Sequence, residues 1–308
     1  MLASMGVSVS MLASGSRGNC AIVASSTTKI LVDTGISCRE TFRRMKALGD
    51  DPHSLSAIVI THEHCDHICG LATLTKKLRI PVFMTGATYQ AWQRAMRDES
   101  GEKPKLEKLE RFESGHSFQV GDIAVKPFTI PHDAVDPVAF VFTGDDGSIG
   151  FLTDLGYAPK LALERIRNVH TLMIETNHDE RLLQGDPKRP WSVKQRIMSR
   201  HGHLSNDAGA KLVAEIAGNR LRRVVLGHLS RDCNRPDLAL EAMERNGVRG
   251  LSLFCAEQNN VSPTFFVGSP VRNEVDPVCH SCGKYQEAQA IFDLGWQTGQ
   301  PKPGKPEK

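Results

Sequence analysis

The chain has 308 residues, of which 40% are hydrophobic and 24% are charged. This is the composition of a globular protein that can bury a sizeable core, as one large domain or as two closely packed halves. The net charge of +3 allows a polyanionic partner without requiring one. No stretch approaches the roughly 18 consecutive apolar residues of a membrane span, so we predict no membrane-spanning helix.

The first residues, MLASMGVSVSMLASG, lack the basic segment and the long apolar segment of a signal peptide, so we expect a cytoplasmic protein. The eight cysteines are scattered, and in a cytoplasmic chain of this size they do not indicate a disulfide framework. They are Cys20, Cys38, Cys65, Cys69, Cys233, Cys255, Cys279 and Cys282.

Short apolar runs alternate with amphipathic stretches along the chain. The runs predict strands at residues 7–12, 21–23, 30–32, 57–60, 82–84, 123–128, 138–142, 149–152, 172–174, 224–226 and 251–254. The amphipathic stretches predict helices at residues 37–48, 68–78, 87–97, 160–167, 192–201, 205–217 and 236–246. Strands crowd the first half, and helices alternate with strands in the second. An α/β (α+β) fold with two sheets between helical layers accommodates this order.

Two polar segments contribute little to a core. The charge-dense segment 97–111 is predicted to be an exposed connection, and the final GQPKPGKPEK is expected to be disordered. We therefore predict one catalytic domain over residues 1–269 and an appendage over residues 270–308. The appendage contains Cys279 and Cys282, half of a structural zinc site, and their role is left open between reduced thiols and a metal knuckle completed by His280.

The segment THEHCDHICG at residues 61–70 places three histidines and two acids directly after an apolar run. Residues two apart in an extended chain share a face, so His62 and His64 can bind one metal ion together. Asp66 and His67 follow as the chain turns into a helix and point to a second position. Imidazoles and a carboxylate suit zinc, and also manganese or iron. The alternative is a histidine-rich loop in which Asp66 caps a helix.

The pattern His-x-His-x-Asp-His resembles the signature of the metallo-β-lactamase-fold hydrolases. The resemblance implies an αββα four-layer sandwich, in which two mixed β-sheets are flanked by helices. It also implies further ligands after later strands, although a lone histidine at a strand end is more often structural. By resemblance, Asp33 holds the histidine loop, His132 completes the first metal site, Asp154 bridges both ions, and His228 completes the second site.

The identity of these ligands separates branches of the family. Histidine at position 64, rather than glutamate, disfavours the flavo-diiron oxygen reductases, and the lack of a cysteine ligand disfavours the true lactamases. Two complete sites favour dinuclear hydrolases with two divalent ions, either thioesterases or phosphodiesterases. Such ions lower the pKa of a water held between them toward about 7 and neutralise charge on a phosphate oxygen.

Later motifs narrow the resemblance. The turn SGSRGN and the segments TNHD, GHLSN and GHLSRDCNRP make the chain similar to the WalJ/YycJ branch of bacterial exonucleases, over roughly residues 7–267. Members of that branch are associated with 5′→3′ degradation of DNA. The resemblance implies His203 as the general acid, Glu175 as the group that orients or charges it, and Asp66 as a further catalytic residue. Structural roles for His203, as part of a capped helix start, and for Glu175, as a buried carboxylate, are the alternatives.

Substrate contacts are assigned to the same motifs. Hydroxyl, amide and backbone groups of the SGSRGN turn could meet a phosphate, although a tight turn between strands also explains this turn. The candidate substrate-binding residues are Ser14, Ser16, Asn19, Asn177, His178, Ser230, Asn234, Arg189 and Lys194.

The segment 187–203 contains five lysines and arginines and no acid. Cations such as Arg189 and Lys194 can line a track for a phosphate backbone, and Trp191 can stack on a base. The alternative is a solvated helix face with Trp191 in the core.

The leading hypothesis is therefore a dinuclear, metal-dependent 5′→3′ DNA exonuclease whose partner is nucleic acid. The alternatives are an RNA-processing nuclease, a thioesterase of the glyoxalase II type, and a regulatory protein that uses the fold as a scaffold. A scaffold protein would be expected to lose ligands, whereas each expected ligand is present here. Ligand type and spacing leave open the metal, the polarity, the choice between DNA and RNA, and the oligomeric state.

Overall fold

The computed structural model describes residues 6–96, 103–218 and 220–267, in which fourteen strands form two seven-stranded sheets. The strands of the first sheet are β1 (Ser8–Ala13), β2 (Cys20–Ala24), β3 (Lys29–Val32), β4 (Ala57–Val59), β5 (Val82–Thr85), β6 (Leu109–Phe112) and β14 (Phe265–Phe266). They lie in the order β14-β1-β2-β3-β4-β5-β6. The pairs from β3 to β6 are parallel, and the remaining pairs are antiparallel.

The second sheet repeats this mixed pattern. Its strands are β7 (Phe118–Val120), β8 (Ile123–Thr129), β9 (Val138–Gly144), β10 (Gly147–Leu152), β11 (Thr171–Glu175), β12 (Arg223–Gly227) and β13 (Ser252–Cys255). The spatial order is β13-β12-β11-β10-β9-β8-β7, with parallel pairs from β10 to β13 and antiparallel pairs from β7 to β10.

The helices lie outside the two sheets. They are α1 (Cys38–Ala47), α2 (Cys65–Ile68), α3 (Leu71–Leu78), α4 (Gly86–Ala95), α5 (Lys160–Ile166), α6 (Glu180–Gly185), α7 (Trp191–Ile197), α8 (Asn206–Ile216) and α9 (Pro236–Arg245), with a 3-10 helix at Pro52–Ser54. Several begin at a side-chain cap, such as Ser205, whose hydroxyl accepts from the Ala208 N–H.

Side chains point alternately to the two faces of the central strands, and this alternation creates the layers. In β3, Ile30 and Val32 lie in a core that contains side chains of both sheets, whereas Leu31 packs with α1, α3 and α4. In β11, Met173 joins the core between the sheets, and Ile174 packs with α5, α8 and α9. A strand buried on both faces must be covered on both faces. The result is the predicted αββα sandwich with two mixed sheets.

All of the strands and helices predicted in the described residues are present, with bounds shifted by a few residues. Three short strands (β6, β7 and β14) and two short helices (α2 and α6) were missed. The predicted helix at 68–78 is divided, since α2 ends at Ile68 and α3 begins at Leu71. Gly70 lies between them, where a side chain would meet the Ile36 carbonyl.

The prediction that residues 97–111 form an exposed connection is wrong for its last part. Residues 109–112 form strand β6, paired in parallel with β5, and Leu106 is buried. The charges misled the prediction because β6 is an edge strand with exposed side chains at Glu110 and Arg111.

The predicted appendage at residues 270–308, with its cysteine pair, lies outside the described residues, and the boundary near residue 269 stays a prediction. Among the helices of the described residues, none combines the length and the apolarity that crossing a membrane requires.

Candidate metal centre

The centre is built where strands of both sheets end. Asp33 follows β3 and Thr61 follows β4 in the first sheet, while Asp154 and His228 follow β10 and β12 in the second. Asp33, Asp154 and His228 have φ values of 59°, 57° and 54°, a left-handed conformation that L-residues rarely adopt. Strain of this kind collects at functional sites, because the surrounding structure must hold it for a reason.

A first cluster contains His62, His64 and His132, whose ligand atoms lie within 4.8 Å of one another. His62 Nε2 is buried and has no hydrogen-bond partner. Burial, reinforced by the neighbouring His67, holds the pKa of His62 well below its ordinary value, so the ring is neutral. A neutral imidazole with a buried nitrogen that lacks a hydrogen-bond partner can serve as a metal ligand.

Contacts of both ring nitrogens hold His132 in place. Its Nδ1 lies 3.1 Å from the carbonyl oxygen of Gly202, and its Nε2 lies 3.2 Å from His64 Nδ1. The Gly202 contact makes Nδ1 the donor and leaves Nε2 as the ligand atom. Burial also lowers the pKa of His132.

A second cluster contains Asp66, His67 and His228, again with ligand atoms within 4.8 Å. Burial alone would lower the pKa of His67, but the carboxylates of Asp154 and Asp33 outweigh it and raise that pKa well above its ordinary value. Burial would also lower the pKa of His228, but Asp154 and nearby carboxylates outweigh burial and raise that pKa to about 10. Both rings therefore lie in a strongly anionic site, which a divalent cation would also neutralise.

Asp154 joins the two clusters. Its Oδ2 lies 3.1 Å from His67 Nε2, and its Oδ1 lies 3.2 Å from His228 Nδ1 and 3.9 Å from His132 Nε2. Burial would raise the pKa of Asp154, but His228 and His67 hold it well below its ordinary value. The carboxylate is therefore ionised and placed where it can reach an ion in either cluster.

A group behind the histidines orients them. Asp33 Oδ2 accepts from His67 Nδ1 at 2.8 Å, and Asp33 Oδ1 accepts from the backbone N–H of Thr61 at 2.8 Å. The Thr61 hydroxyl lies 2.9 Å from Asp33 Oδ2 and 3.0 Å from His62 Nδ1. Asp33 thus holds one ligand directly and another through Thr61. Sequence reasoning missed Thr61, although its position before the motif is a usable signal.

These donor sets fit divalent metal ions. Neutral imidazoles and carboxylates are the ligands of zinc and manganese, and each set has outer partners that fix the ring orientation. The orphaned Nε2 of buried His62 is the observation that a purely structural histidine cluster does not explain.

A paired acid and histidine lie beside the clusters. His203 Nδ1 is 2.5 Å from Glu175 Oε1, and the same oxygen lies 3.0 Å from His228 Nδ1. Burial would raise the pKa of Glu175, but the contact with His203 outweighs burial and lowers that pKa to about 2. Burial would lower the pKa of His203, and Glu175 raises it instead. His203 keeps 21% of its side chain exposed, so it can meet a substrate.

The clusters open into a cleft of about 300 Å³. Its lining includes ligands of both clusters and His203, together with side chains outside them. The lining residues are Ser16, His64, Cys65, Asp66, Asp154, Asn177, Arg196, His203 and His228.

Two of the predicted substrate-binding residues, Ser16 and Asn177, lie in this lining. Other residues of that set point into the protein interior. Ser14 is buried, and its hydroxyl accepts from the His228 N–H at 2.7 Å, so it lies against a candidate ligand and outside the cleft lining. Asn19 is also buried, and its Nδ2 lies 3.1 Å from His67 Nε2. Both side chains lie outside the cleft lining for one reason, which is that the turn packs inward against the centre.

The predicted contacts at His178, Ser230 and Asn234 are also not brought to the cleft lining. Burial lowers the pKa of His178 to about 4. Ser230 accepts from the Cys233 N–H, and the Asn234 amide donates to the Thr176 carbonyl at 2.7 Å. These buried polar groups tie loops together.

The basic segment differs from its prediction in detail. Lys194 is buried and donates to the Gln184 carbonyl at 2.7 Å, and Arg189 pairs with Asp186 and Asp232, so neither is a free cation. The partners lie outside the segment 187–203: Asp186 directly precedes it, Asp232 is distant in sequence, and Gln184 contributes a backbone carbonyl. Trp191 is 59% exposed, so the alternative of a core tryptophan is wrong.

Comparisons with known proteins agree with this geometry. The profile of the beta-lactamase superfamily domain matches residues 28–229. Over 240 residues the chain is 37% identical to exodeoxyribonuclease WalJ of Streptococcus pneumoniae serotype 2, covering 77% of this chain and 87% of that protein. Over 235 residues it is 34% identical to exodeoxyribonuclease YycJ of Bacillus anthracis, covering 76% and 87%.

Solved structures share the fold at low identity. Unliganded yeast PDE1 aligns with a TM-score of 0.64 and 14% identity, over 85% of this chain and 100% of that one. The metallo-beta-lactamase fold protein YhfI from Bacillus subtilis aligns with a TM-score of 0.60 and 14% identity, over 83% and 99%. The profile match, the relatives and the two-sheet architecture agree: this chain belongs to the beta-lactamase superfamily.

Proposed function

We propose that this protein is a dinuclear metal-dependent phosphodiesterase that degrades DNA from its 5′ end. Two relatives at 34–37% identity are exodeoxyribonucleases, which supports a nucleic acid substrate. The observation that carries the proposal is the position of Asp154. Its carboxylate is within reach of both ligand clusters and lies beside the Glu175–His203 pair. A zinc or manganese pair, a DNA substrate and cytoplasmic location are parts of this proposal.

Each cluster has an assigned role. His62, His64 and His132 would hold one ion, and Asp66, His67 and His228 would hold the other, with Asp154 within reach of both. Bound ions of this kind supply an activated water and offset the negative charge of a phosphodiester. The remaining chemistry belongs to the chain itself.

His203 is the general acid in this account. Its Nδ1 hydrogen faces Glu175, which leaves Nε2 as the ring nitrogen that gives a proton to the leaving 3′ oxygen. The raised pKa of His203 keeps that proton in place until it is needed. Glu175 acts through His203 and is a positioning residue; its other oxygen accepts from the Leu155 N–H at 2.9 Å and so fixes the carboxylate.

The test is digestion of a 5′-phosphorylated, end-labelled DNA duplex by protein loaded with Mn²⁺ or Zn²⁺. Parallel reactions contain RNA of the same sequence and a glutathione thioester. We expect mononucleotides released from the 5′ end of DNA, faster than from RNA, and no thioester hydrolysis. Folded, metal-loaded protein that leaves every DNA end intact would contradict the proposal, and preference for RNA or thioester would reassign it.

Variants link the activity to the centre. His64→Ala and Asp154→Ala are expected to abolish DNA cleavage with the fold intact. His116→Ala is the matched control, because the side chain of His116 is 80% exposed and pairs only with Glu113 at 3.8 Å among the described residues. Cleavage that persists in both site variants would trace the activity to a contaminant.

A further inference from the structure

Helix α7 (Trp191–Ile197) presents large apolar side chains to solvent. Trp191 is 59% exposed and Val193 is 39% exposed. Among the described residues, four large hydrophobic side chains are this exposed, and two of them lie on this one helix. Only Lys194 is buried within α7, so the helix has little packing that would explain its apolar residues.

The helix is nevertheless held firmly. Lys194 donates to the Gln184 carbonyl at 2.7 Å, and the Ile197 carbonyl accepts from the His203 N–H at 2.9 Å. Gly202 packs so closely that an added Cβ would lie 2.1 Å from the Ile197 carbonyl oxygen. Trp191 is therefore displayed on a fixed element connected to the general acid, and a rigid aromatic surface orders at low cost on binding.

Two exposed arginines follow along the same segment toward the cleft, of which Arg196 is ion-paired and remains 67% exposed. Arg196 lines the cleft and pairs with Asp133, which lies 3.3 Å from His132 Nε2. Arg200 lies over the Tyr157 ring at 4.3 Å and is exposed. A helix rises about 1.5 Å and turns about 100° per residue, so Trp191 and Arg196 are roughly 7.5 Å apart along the axis and about 140° apart around it. A strand that contacts both therefore crosses the helix instead of running along one face.

An exposed aromatic next to unburied arginines is the combination that binds single-stranded nucleic acid, with bases stacked on rings and phosphates on cations. A base in a duplex has both faces covered by its neighbours, so Trp191 can stack fully only on an unpaired or terminal base. The charge and the continuity with the cleft favour a nucleic acid over an apolar protein partner.

We propose that α7 and residues 198–200, the α7 platform, hold an unpaired strand of DNA beside the cleft. Trp191 stacks on a base, and Arg196 and Arg200 contact phosphates. This inference rests on the proposed function and adds to it that the strand enters the cleft single-stranded. A blunt duplex would then have to fray before cleavage, whereas an overhang would not.

Intrinsic fluorescence tests the α7 platform directly. Trp92 is buried, Trp191 is exposed, and the third tryptophan, Trp296, lies outside the described residues. A ten-nucleotide oligothymidylate with phosphorothioate linkages is titrated into metal-loaded protein. We expect quenching in the wild type, and loss of that signal with retained affinity in Trp191→Phe, which keeps a ring.

Trp191→Ala is expected to weaken oligonucleotide binding about 5- to 150-fold, as measured by anisotropy of a labelled strand. Leu161→Ala is the matched control, because Leu161 is 50% exposed on α5, and it should bind as the wild type does. An unchanged affinity in Trp191→Ala, or a wild-type signal without quenching, would overturn the proposal. So would self-association that is lost in Trp191→Ala while oligonucleotide binding persists, because the surface would then belong to a second copy of the chain.

Failure of this inference differs from failure of the proposed function. Quenching and binding without hydrolysis of any DNA would leave the α7 platform standing and reject the exonuclease. DNA hydrolysis at wild-type rates in Trp191→Ala, with equal rates on blunt and overhanging ends, would reject the α7 platform and keep the exonuclease.

Discussion

The buried histidines of the centre differ in what their second ring nitrogen contacts. His62 faces the Thr61 hydroxyl, whereas His67 faces Asp33 and His228 faces Glu175. A carboxylate partner makes an imidazole more basic and fixes its tautomer, while a hydroxyl mainly fixes the tautomer. The two clusters therefore present ligands of different strength, and the second should bind its ion more tightly.

His203→Asn should reduce DNA cleavage by about 10²–10⁴-fold while metal content stays at the wild-type level, because a general acid contributes on that scale. A p-nitrophenyl phosphodiester, whose leaving group needs no proton, should lose much less activity. Steady-state kinetics on both substrates measures the difference. An equal loss on both substrates would mean that His203 maintains structure and does not donate a proton.

Thr61→Val should weaken metal binding about 10- to 100-fold, because it removes the hydroxyl between His62 and Asp33 and leaves both groups without that partner. Thr61→Ser keeps the hydroxyl and should retain affinity. Competition with a chromophoric chelator measures this without reference to activity. Wild-type affinity in the valine variant would remove Thr61 from the account.

Candidate ligands could be proposed from the sequence, whereas the contacts that orient them could not. The spacing within residues 61–70 is local and visible, so His62 and His64 could be assigned from it. The partnership of Thr61 with Asp33 joins residues 28 positions apart and exists only once β3 and β4 pair. The burial of Lys194 likewise depends on a carbonyl of another helix, which composition does not reveal.

At the scale of elements, strands buried on both faces were the predictable part. β3, β11 and β12 read as continuous apolar runs because they are covered by a sheet on one side and helices on the other. β6 was missed because two of its residues are exposed and charged, and β14 has two residues only. Edge strands carry a weak signal for this physical reason.

Gly202→Ala tests how α7 is coupled to the centre. Its Cβ would meet the Ile197 and Arg196 carbonyl oxygens at 2.1 and 2.3 Å, so the turn must shift together with the Gly202 carbonyl that holds His132. We expect a loss of about 1–3 kcal/mol in the free energy of unfolding and reduced activity.

Gly185→Ala is the matched control for this change. Gly185 ends α6 with nothing within 4 Å of an added Cβ, so its stability should be unchanged or slightly higher. Denaturant titration of the two variants against the wild type measures both effects. Equal stabilities for the two alanine variants would show that the turn accommodates a side chain freely.

At the scale of the whole molecule, the centre connects the two sheets. Asp33 and the segment 61–67 come from the first sheet, and Asp154, Glu175 and His228 come from the second. The carboxylates are gathered in a buried site where they repel one another unless cations lie between them. Bound metal should therefore stabilise the fold as well as the reaction.

Removal of metal by a chelator should lower the midpoint of thermal unfolding. An ion at a concentration 100 times its dissociation constant contributes about 2.7 kcal/mol, which corresponds to roughly 5–10 °C for a domain of this size. Differential scanning calorimetry with and without added Zn²⁺ or Mn²⁺ measures the shift. Asp154→Ala should show a much smaller shift than His116→Ala, and equal shifts in both variants would place metal binding elsewhere.

The fold and the family were predictable from sequence because the ligand motif and the apolar runs are both local patterns. The ligands alone did not separate a nuclease from a thioesterase, because the same ligands serve both reactions and the difference lies in side chains around the cleft. The later motifs indicated the exonuclease branch, and the relatives agree with that prediction. Trp191 illustrates this point, since its exposure depends on how α7 packs and not on its neighbours in sequence.

Anomalous diffraction from crystals of metal-loaded protein, with metal per chain measured on the same sample, tests the dinuclear centre most directly. We expect two peaks, one among His62, His64 and His132 and one among Asp66, His67 and His228, with Asp154 in contact with both. We also expect two ions per chain. A single peak, or ions bound only outside these residues, would contradict a dinuclear centre.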